Sequence, residues 1–224
     1  MSTSKTLLIT GVSSGFGRAL ALEALAKGYR VIGTVRNVEA KLAFEQLHPQ
    51  NALAFELDVT HFAVIDDLIA DIEADQGPID VLVNNAGYGH EGIMEESSLE
   101  EMRHQFDVNV FGAVAMIKAV LPFMRQRRRG HILNITSMGG FITMPGISYY
   151  CGSKFALEGI SETLSKELAP FNIHVTAVAP GSFRTDWAAA QWCEARAASV
   201  IITLSLILSA RQEKRKAANS LVIQ

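Results

Sequence analysis

From residue 5 to about residue 180, short runs of branched apolar residues alternate with longer stretches whose apolar positions recur at helical spacing. Six runs, at residues 6–10, 30–35, 52–57, 79–83, 131–136 and 174–179, are nearly continuous in apolar character. That is the pattern of strands buried on both faces of a parallel sheet. Amphipathic stretches at 17–27, 62–75, 100–125 and 149–169 supply crossover helices, and in the last of them Phe155, Ile160, Leu164 and Leu168 are expected to face the core. The alternation predicts an α/β fold, a doubly wound parallel sheet in three α/β/α layers with six clear strands. A seventh strand rests on the apolar run 199–208, where periodicity does not separate strand from helix.

The polar and glycine-rich residues are not scattered over this frame. Residues 11–17 follow the first strand, Arg36 the second, Asp58 the third, residues 84–87 the fourth, Ser137 the fifth and residues 180–185 the sixth. Ligands of open parallel sheets bind in the crevice beyond the carboxyl ends of the strands. One long site along that edge is therefore expected.

Composition narrows the class. A chain of 224 residues, 49% hydrophobic, is long enough for one large core and is expected to form one domain. A net charge of -3 and a pI near 6.1 give no electrostatic reason for a nucleic acid or an anionic membrane as partner. The basic cluster at 125–129 precedes Gly130 and a new apolar run, and reads as a solvated helix C-terminus rather than a nucleic-acid patch. Cys151 and Cys193 form no CxxC pair and belong to no array with metal-ligand spacing, so neither a disulfide framework nor a metal site is expected. Residues 1–6 carry no signal-peptide core, and the run 200–208 is too short to span a bilayer. A soluble protein of the reducing cytoplasm is the expectation.

The first strand runs into Thr10-Gly11-Val12-Ser13-Ser14-Gly15-Phe16-Gly17. Glycines there let the backbone turn sharply and approach a pyrophosphate, whose charge the free N–H groups of a following helix would stabilise. The spacing differs from G-x-G-x-x-G, so a purely structural turn stays open for this element alone; its place after the first strand favours phosphate binding. The second strand ends in Val35-Arg36-Asn37, without the carboxylate that NAD-binding folds place on the adenosine ribose. A guanidinium at Arg36 can instead hold a 2'-phosphate through paired hydrogen bonds, so NADP(H) is expected over NAD(H). Tyr150 and Lys154 stand four apart on one helix face, a spacing that for this pair in isolation reads as chance and gains weight only from the motifs around it. An ammonium beside the phenol is expected to lower its pKa from about 10 and make Tyr150 a general acid or base, a role the spacing denies to Tyr149.

Taken in order, these motifs make the sequence similar to the short-chain dehydrogenase/reductase family. Its pattern of Thr-Gly-x3-Gly-x-Gly, Asn-Asn-Ala-Gly, Ser and Tyr-x3-Lys appears here at 10–17, 84–87, Ser137 and 150–154, within a match from residue 5 to about 187. The resemblance implies a Rossmann-type fold in which Gly11, Ser13, Ser14, Gly15, Phe16 and Gly17 hold the cofactor, with Arg36, and Asp58 and Val59 flank its adenine. Asn85, Ala86 and Gly87 would line the cleft, and Pro180, Gly181, Phe183 and Thr185 would belong to the loop that grips the nicotinamide. Ser137 would hydrogen-bond the substrate oxygen, Tyr150 would exchange the proton, and Lys154 would hold the nicotinamide ribose while tuning Tyr150. Asn109 would support a water-linked proton relay behind the lysine. The implied activity is hydride transfer between NADP(H) and a carbonyl or secondary alcohol of a small molecule, in a homodimer built through the helices at 100–125 and 149–169. On the residues alone, Asn109 keeps a reading as a partner of helix backbone, Ser137 one as an ordinary cap, and Asn84 is expected to bind backbone and tie strands together.

Family-like character is lost after Asp186, which divides the chain into a dinucleotide-binding and catalytic domain at 1–187 and an atypical segment of the same domain at 188–224. The change predicts a C-terminal part altered or shortened relative to the family. That weighs against a tetramer, and leaves NADP(H) binding with little or no catalysis as the alternative to an enzyme. Phe141, Ile142, Met144 and Ile147 read equally as an apolar pocket wall and as core.

Overall fold

Six strands form one sheet: β1 (Thr6–Ile9), β2 (Arg30–Val35), β3 (Ala52–Glu56), β4 (Val81–Asn84), β5 (Gly130–Ile135) and β6 (Ile173–Val178). All neighbours pair in parallel, in the order β3-β2-β1-β4-β5-β6, in a computed structural model that describes residues 4–181. Each expected strand is present, with small shifts at its ends. The helices are α1 (Gly15–Ala26), α2 (Val38–Glu45), α3 (Ile65–Asp75), α4 (Leu99–Phe106), α5 (Ala113–Gln126) and α6 (Ser148–Leu168). Parallel pairing makes each connection cross over, and side-chain alternation along the strands requires helices on both faces.

One row of side chains shows how the core is made. Leu8, Ile32, Leu82 and Ile132 are register partners across β2, β1, β4 and β5, and all are fully buried. They share a cluster with Ile65, Ile69 and Ile72 of α3 and Met116, Ile117, Val120 and Met124 of α5. Burying one side chain of this size contributes roughly 1.5–3 kcal/mol, so this face needs no polar help to hold its helices. The alternate positions Leu7, Ile9, Val31, Val81 and Val83 are buried as well. Strand order reverses between β1 and β4, and the crevice this opens lies at the ends of both.

Several expectations change, each for a physical reason. The helix α2 escapes the periodicity reading because Phe44 alone is buried while Val38 and Leu42 face water; its start is fixed by Asn37 Oδ1, which accepts from Ala40 N–H at 2.8 Å. The stretch 100–125 is not one α-helix: a π-helical turn, Asp107–Gly112, separates α4 from α5. On α6, Phe155 is exposed and Ile160 and Leu164 are half-buried, although Leu168 is buried as expected. The inward face carries Ser153, Lys154 and Ser161 instead, whose polar groups find partners inside. β6, the outermost strand among the described residues, is half-buried beyond Ile173 rather than covered on both faces. Asn84 donates to the Ala113 carbonyl at 3.3 Å and to Asn134 Oδ1 at 2.9 Å, so the tie to the neighbouring strand runs through a side chain. The seventh strand and the boundary at 187 lie outside the described residues.

The basic cluster does end a helix, but it is not simply solvated. Arg127 Nη1 pairs with Glu73 Oε2 at 2.9 Å, its Nη2 donates to the Ile79 carbonyl, and Glu73 Oε1 accepts from Ile79 N–H at 3.0 Å. Arg129 pairs with Asp80, and the guanidinium of Arg125 lies over the Phe171 ring at 4.5 Å. Removing one partner of a mostly buried pair strands the other charge. Arg127→Ala is therefore expected to lower stability by about 2–3 kcal/mol in urea unfolding, with part of the loss recovered when Glu73→Ala is added; an unchanged midpoint for the single variant would contradict the pairing.

Candidate functional site

The turn after β1 is shaped for close approach. Gly11 and Gly15 have φ of +72° and +57°, a left-handed backbone open to glycine without steric cost. A Cβ on Gly17 would collide with the Gly11 carbonyl oxygen and with Asn85 Nδ2. Asn85 Nδ2 donates to the carbonyls of Thr10 and Gly11, both at 2.9 Å, and Thr10 Oγ1 accepts from the N–H groups of Asn85 and Ala86, both at 2.9 Å. This clamp joins the ends of β1 and β4 and fixes the turn.

Ser14 caps α1 with an extended backbone, yet its side chain makes no capping bond and no acidic residue occupies the first turn. Of the other described helices, α2 is capped by Asn37 and α4 by the reciprocal Ser98–Glu101 capping box, while α3, α5 and α6 also begin without a side-chain cap. Ser13 and Ser14 are exposed, and Phe16 is half-buried. An uncapped helix start behind a turn with no room for side chains fits a dinucleotide pyrophosphate.

At the far end of the crevice, Arg36 is exposed just past β2 and near enough to Asp58 to favour its carboxylate. Burial pulls the Asp58 carboxyl up, but bonds from Thr60 N–H at 2.9 Å and Thr60 Oγ1 at 2.7 Å, with His61 and Arg36 nearby, hold it below its ordinary value. The Val59 side chain belongs to the core, where it packs against Gly112 of the π-helical turn.

The remaining expected residues converge beyond β4 and β5. Ser137 starts a single 3-10 turn, Met138–Gly140; its Oγ accepts from Gly139 N–H at 3.0 Å and is hydrogen-bonded to the Tyr150 hydroxyl. It is thus both a cap and a partner of Tyr150. Tyr149 is buried and donates its hydroxyl to the Ser97 carbonyl at 2.9 Å, which leaves the neighbouring Tyr150 as the phenol beside Ser137. Lys154 is 6% exposed; its Nζ donates to the Ile135 carbonyl at 2.8 Å and lies 5.8 Å from the Tyr150 ring centroid. A Cβ on Gly87 would stand 3.7 Å from Nζ, so the ammonium opens toward the end of β4.

The electrostatics differ from the expectation of a lowered phenol. Burial, against the smaller opposing effect of the Ser137 hydrogen bond, holds Tyr150 above its ordinary value. Burial also pushes Lys154 down to about 8, with Glu158 opposing the shift. Both shifts have the same main cause: burial disfavours the charged form of each group, the phenolate of Tyr150 and the ammonium of Lys154.

Asn109 lies in the π-helical turn and is buried. Its Oδ1 accepts from Tyr88 N–H at 3.1 Å, and its Nδ2 donates to the Tyr88 carbonyl at 2.9 Å and to Ser153 Oγ at 3.0 Å. It therefore satisfies loop backbone rather than helix backbone. Gln105, one turn earlier, extends the ladder: Nε2 donates to the Tyr88 carbonyl at 2.8 Å and Oε1 accepts from His90 N–H at 2.7 Å. Sequence reasoning missed Gln105, Thr10's hydroxyl and the Ile135 carbonyl; the signal for Gln105 was its four-residue spacing from Asn109 on one helix. Pro180 accepts from Met138 N–H at 3.1 Å, which places it beside the Ser137 turn, and Gly181 is exposed. Phe183 and Thr185 lie outside the described residues.

The sequence and the fold that carry this arrangement are similar to those of known proteins. A model of the short chain dehydrogenase family matches residues 5–195. The chain belongs to that family. Its relatives include the 3-ketodihydrosphingosine reductase of Bacteroides thetaiotaomicron, 42% identical over 181 residues that make up 81% of this chain and 65% of that protein. The chain thus spans a little under two thirds of that reductase's length. Among solved structures, a short-chain dehydrogenase from Streptomyces avermitilis superposes with a TM-score of 0.80 at 44% identity, covering 86% of this chain and 71% of the other. ElxO with NADP bound superposes with a TM-score of 0.79 at 32% identity, covering 82% and 76%.

The buried ammonium has a thermodynamic signature. Lys154 releases its proton at about 8 when folded, against 10.5 for a free side chain, so its charged form costs stability below about pH 8, and the cost fades between pH 8 and 10.5. Lys154→Met is expected to raise stability at pH 7 by roughly 2–3 kcal/mol, with the gain shrinking as the pH rises through that window in urea unfolding. A destabilised variant, or a gain that grows with pH, would contradict the assignment.

Proposed function

We propose that this protein moves a hydride between NADP(H) and a carbonyl or secondary-alcohol carbon, with Tyr150 as the general acid in the reducing direction. The observation that carries the reading is the Tyr150 phenol oxygen accepting from the Ser137 hydroxyl, with the buried Lys154 ammonium 5.8 Å from the centroid of the same ring, at the carboxyl edge of the sheet. A phenol held above its ordinary pKa is protonated at neutral pH and therefore able to donate. When bound, the reduced nicotinamide supplies the hydride. Ser137 Oγ orients the carbonyl oxygen, the Tyr150 hydroxyl delivers the proton to it, and Lys154 favours the phenolate that remains. The turn at 11–17 and the open start of α1 would hold the pyrophosphate, and Lys154 the nicotinamide ribose. A homodimer through α4, α5 and α6 belongs to the same proposal, and the exposed apolar side chains Leu99, Phe111 and Phe155 support it.

Tyr150→Phe keeps the ring and removes the proton. It is expected to abolish NADPH oxidation with a panel of aldehydes and ketones while fluorescence titration shows NADPH binding nearly unchanged; substantial residual turnover would overturn the role. NADPH binding by the unaltered protein with no oxidation by any carbonyl would favour a nucleotide-binding protein instead.

The preference for NADP(H) rests on Arg36, the exposed cation where a ribose-binding carboxylate would otherwise stand. Loss of a charge-assisted contact to a phosphate corresponds to about 10- to 100-fold in affinity. Arg36→Ala is expected to weaken NADPH binding by that factor and leave NADH binding unchanged. Equal affinity of the unaltered protein for the two cofactors would remove the argument.

A further inference from the structure

Exposed large apolar side chains cluster on two loops at the catalytic end of the sheet. The loop after β4 carries Ile93 and Met94, 47% and 61% exposed; the loop after β5 carries Phe141, Ile142 and Met144, 62%, 49% and 43% exposed. Singly exposed hydrophobic residues need no explanation, but a grouped set marks a binding surface. The backbone ties the bases of the two loops together. Gly92 N–H donates to the Gly146 carbonyl at 2.8 Å, and Gly92 bridges to Ile147 in parallel fashion, so the two loops are sewn together immediately before α6. A second stitch follows, from the Tyr149 hydroxyl to the Ser97 carbonyl.

The seam ends at the hydroxyl pair. Phe141 and Ile142 donate their N–H groups to the Met138 carbonyl, at 3.0 Å each, and so continue the turn that Ser137 begins. Ile147 leads directly into the first turn of α6, which holds Tyr150. The loops that carry these apolar residues thus run into the turn of Ser137 and the helix of Tyr150, and four of the five side chains are aliphatic, two of them methionines, whose unbranched chains adapt to a flexible partner.

We infer that the substrate is an open-chain ketone or secondary alcohol whose oxygen sits at Ser137 and Tyr150 and whose alkyl chain lies along the strip formed by Ile93, Met94, Phe141, Ile142 and Met144. This rests on the reading of Tyr150 as the acid and base, and deepens it by naming a substrate class. The strip rewards chain length: each methylene withdrawn from water favours binding by up to about fourfold, less where one side of the chain stays wet. A rigid fused-ring ketone covers fewer of these side chains for the same number of carbons.

Methyl ketones of increasing length, titrated calorimetrically into the full chain saturated with NADP+, test this without turnover, because both partners are oxidised. The dissociation constant is expected to fall by about two- to fourfold per added methylene until the strip is covered. The slope should flatten in Met94→Ser and in Phe141→Ser but not in Leu22→Ser on the outer face of α1. A fused-ring ketone of matched carbon count should bind more weakly than its open-chain counterpart. Length-independent binding, no binding by any ketone, a slope equally lost in Leu22→Ser, or tighter binding of the ring compound would each overturn the inference. NADPH oxidation with the same ketones judges the oxidoreductase reading separately: turnover without length dependence preserves that reading and removes only this one.

Discussion

A positive charge taken out of water sets the terms for this molecule. The Lys154 ammonium sits in the second turn of α6 and donates to the Ile135 carbonyl at the end of β5. Burying it costs stability, so the surroundings must hold it in place rather than let it swing out. The sheet supplies that restraint from below and the loop after β4 from the side, and the result is a cation facing the crevice where strand order reverses. The proposed chemistry needs such a charge at a fixed depth, and core packing alone would never place it there.

Polar side chains do the fixing, through backbone that would otherwise be unsupported. Gln105 and Asn109 present amides to residues 88–90 much as an adjacent strand would, and Asn109 passes the restraint to α6 through Ser153. Asn85 and Thr10 do the same for the glycine turn. Asn84, Asn134 and Ser161 form a third line from β4 through β5 to α6. Buried amides of this kind are costly when unpaired and rigidifying when paired. They give the crevice two fixed walls: one that the uncapped start of α1 leaves ready for an anion, and one lined by Ser137 and Tyr150.

Most of the fold could be read from the chain because parallel strands leave a strong mark: Leu8, Ile32, Leu82 and Ile132 are apolar runs with no competing reading. The order of glycines, asparagines, serine and tyrosine after those runs located the crevice. What escaped detection depends on contacts between distant residues. The π-helical turn at 107–112 is invisible to periodicity because it exists to aim Asn109 at Tyr88 and to admit Val59 against Gly112. Phe155 was assigned to the core since hydrophobicity says nothing of Ser153 and Ser161, which hold inward positions through bonds to Asn109 and Asn134. The phenol's shift is hidden from the sequence for a related reason: spacing brings Lys154 near Tyr150 but does not reveal how deeply the fold buries the phenol.

The central claim is that Lys154 is a buried, crevice-facing ammonium whose charge responds to an anionic cofactor. NMR titration of 13C-labelled lysine, with Lys154 assigned through Lys154→Met, reads that charge directly. The account predicts a midpoint for Lys154 at about 8 in the free protein, moving upward when NADPH is added. A midpoint at the ordinary lysine value, or one indifferent to NADPH, would contradict it.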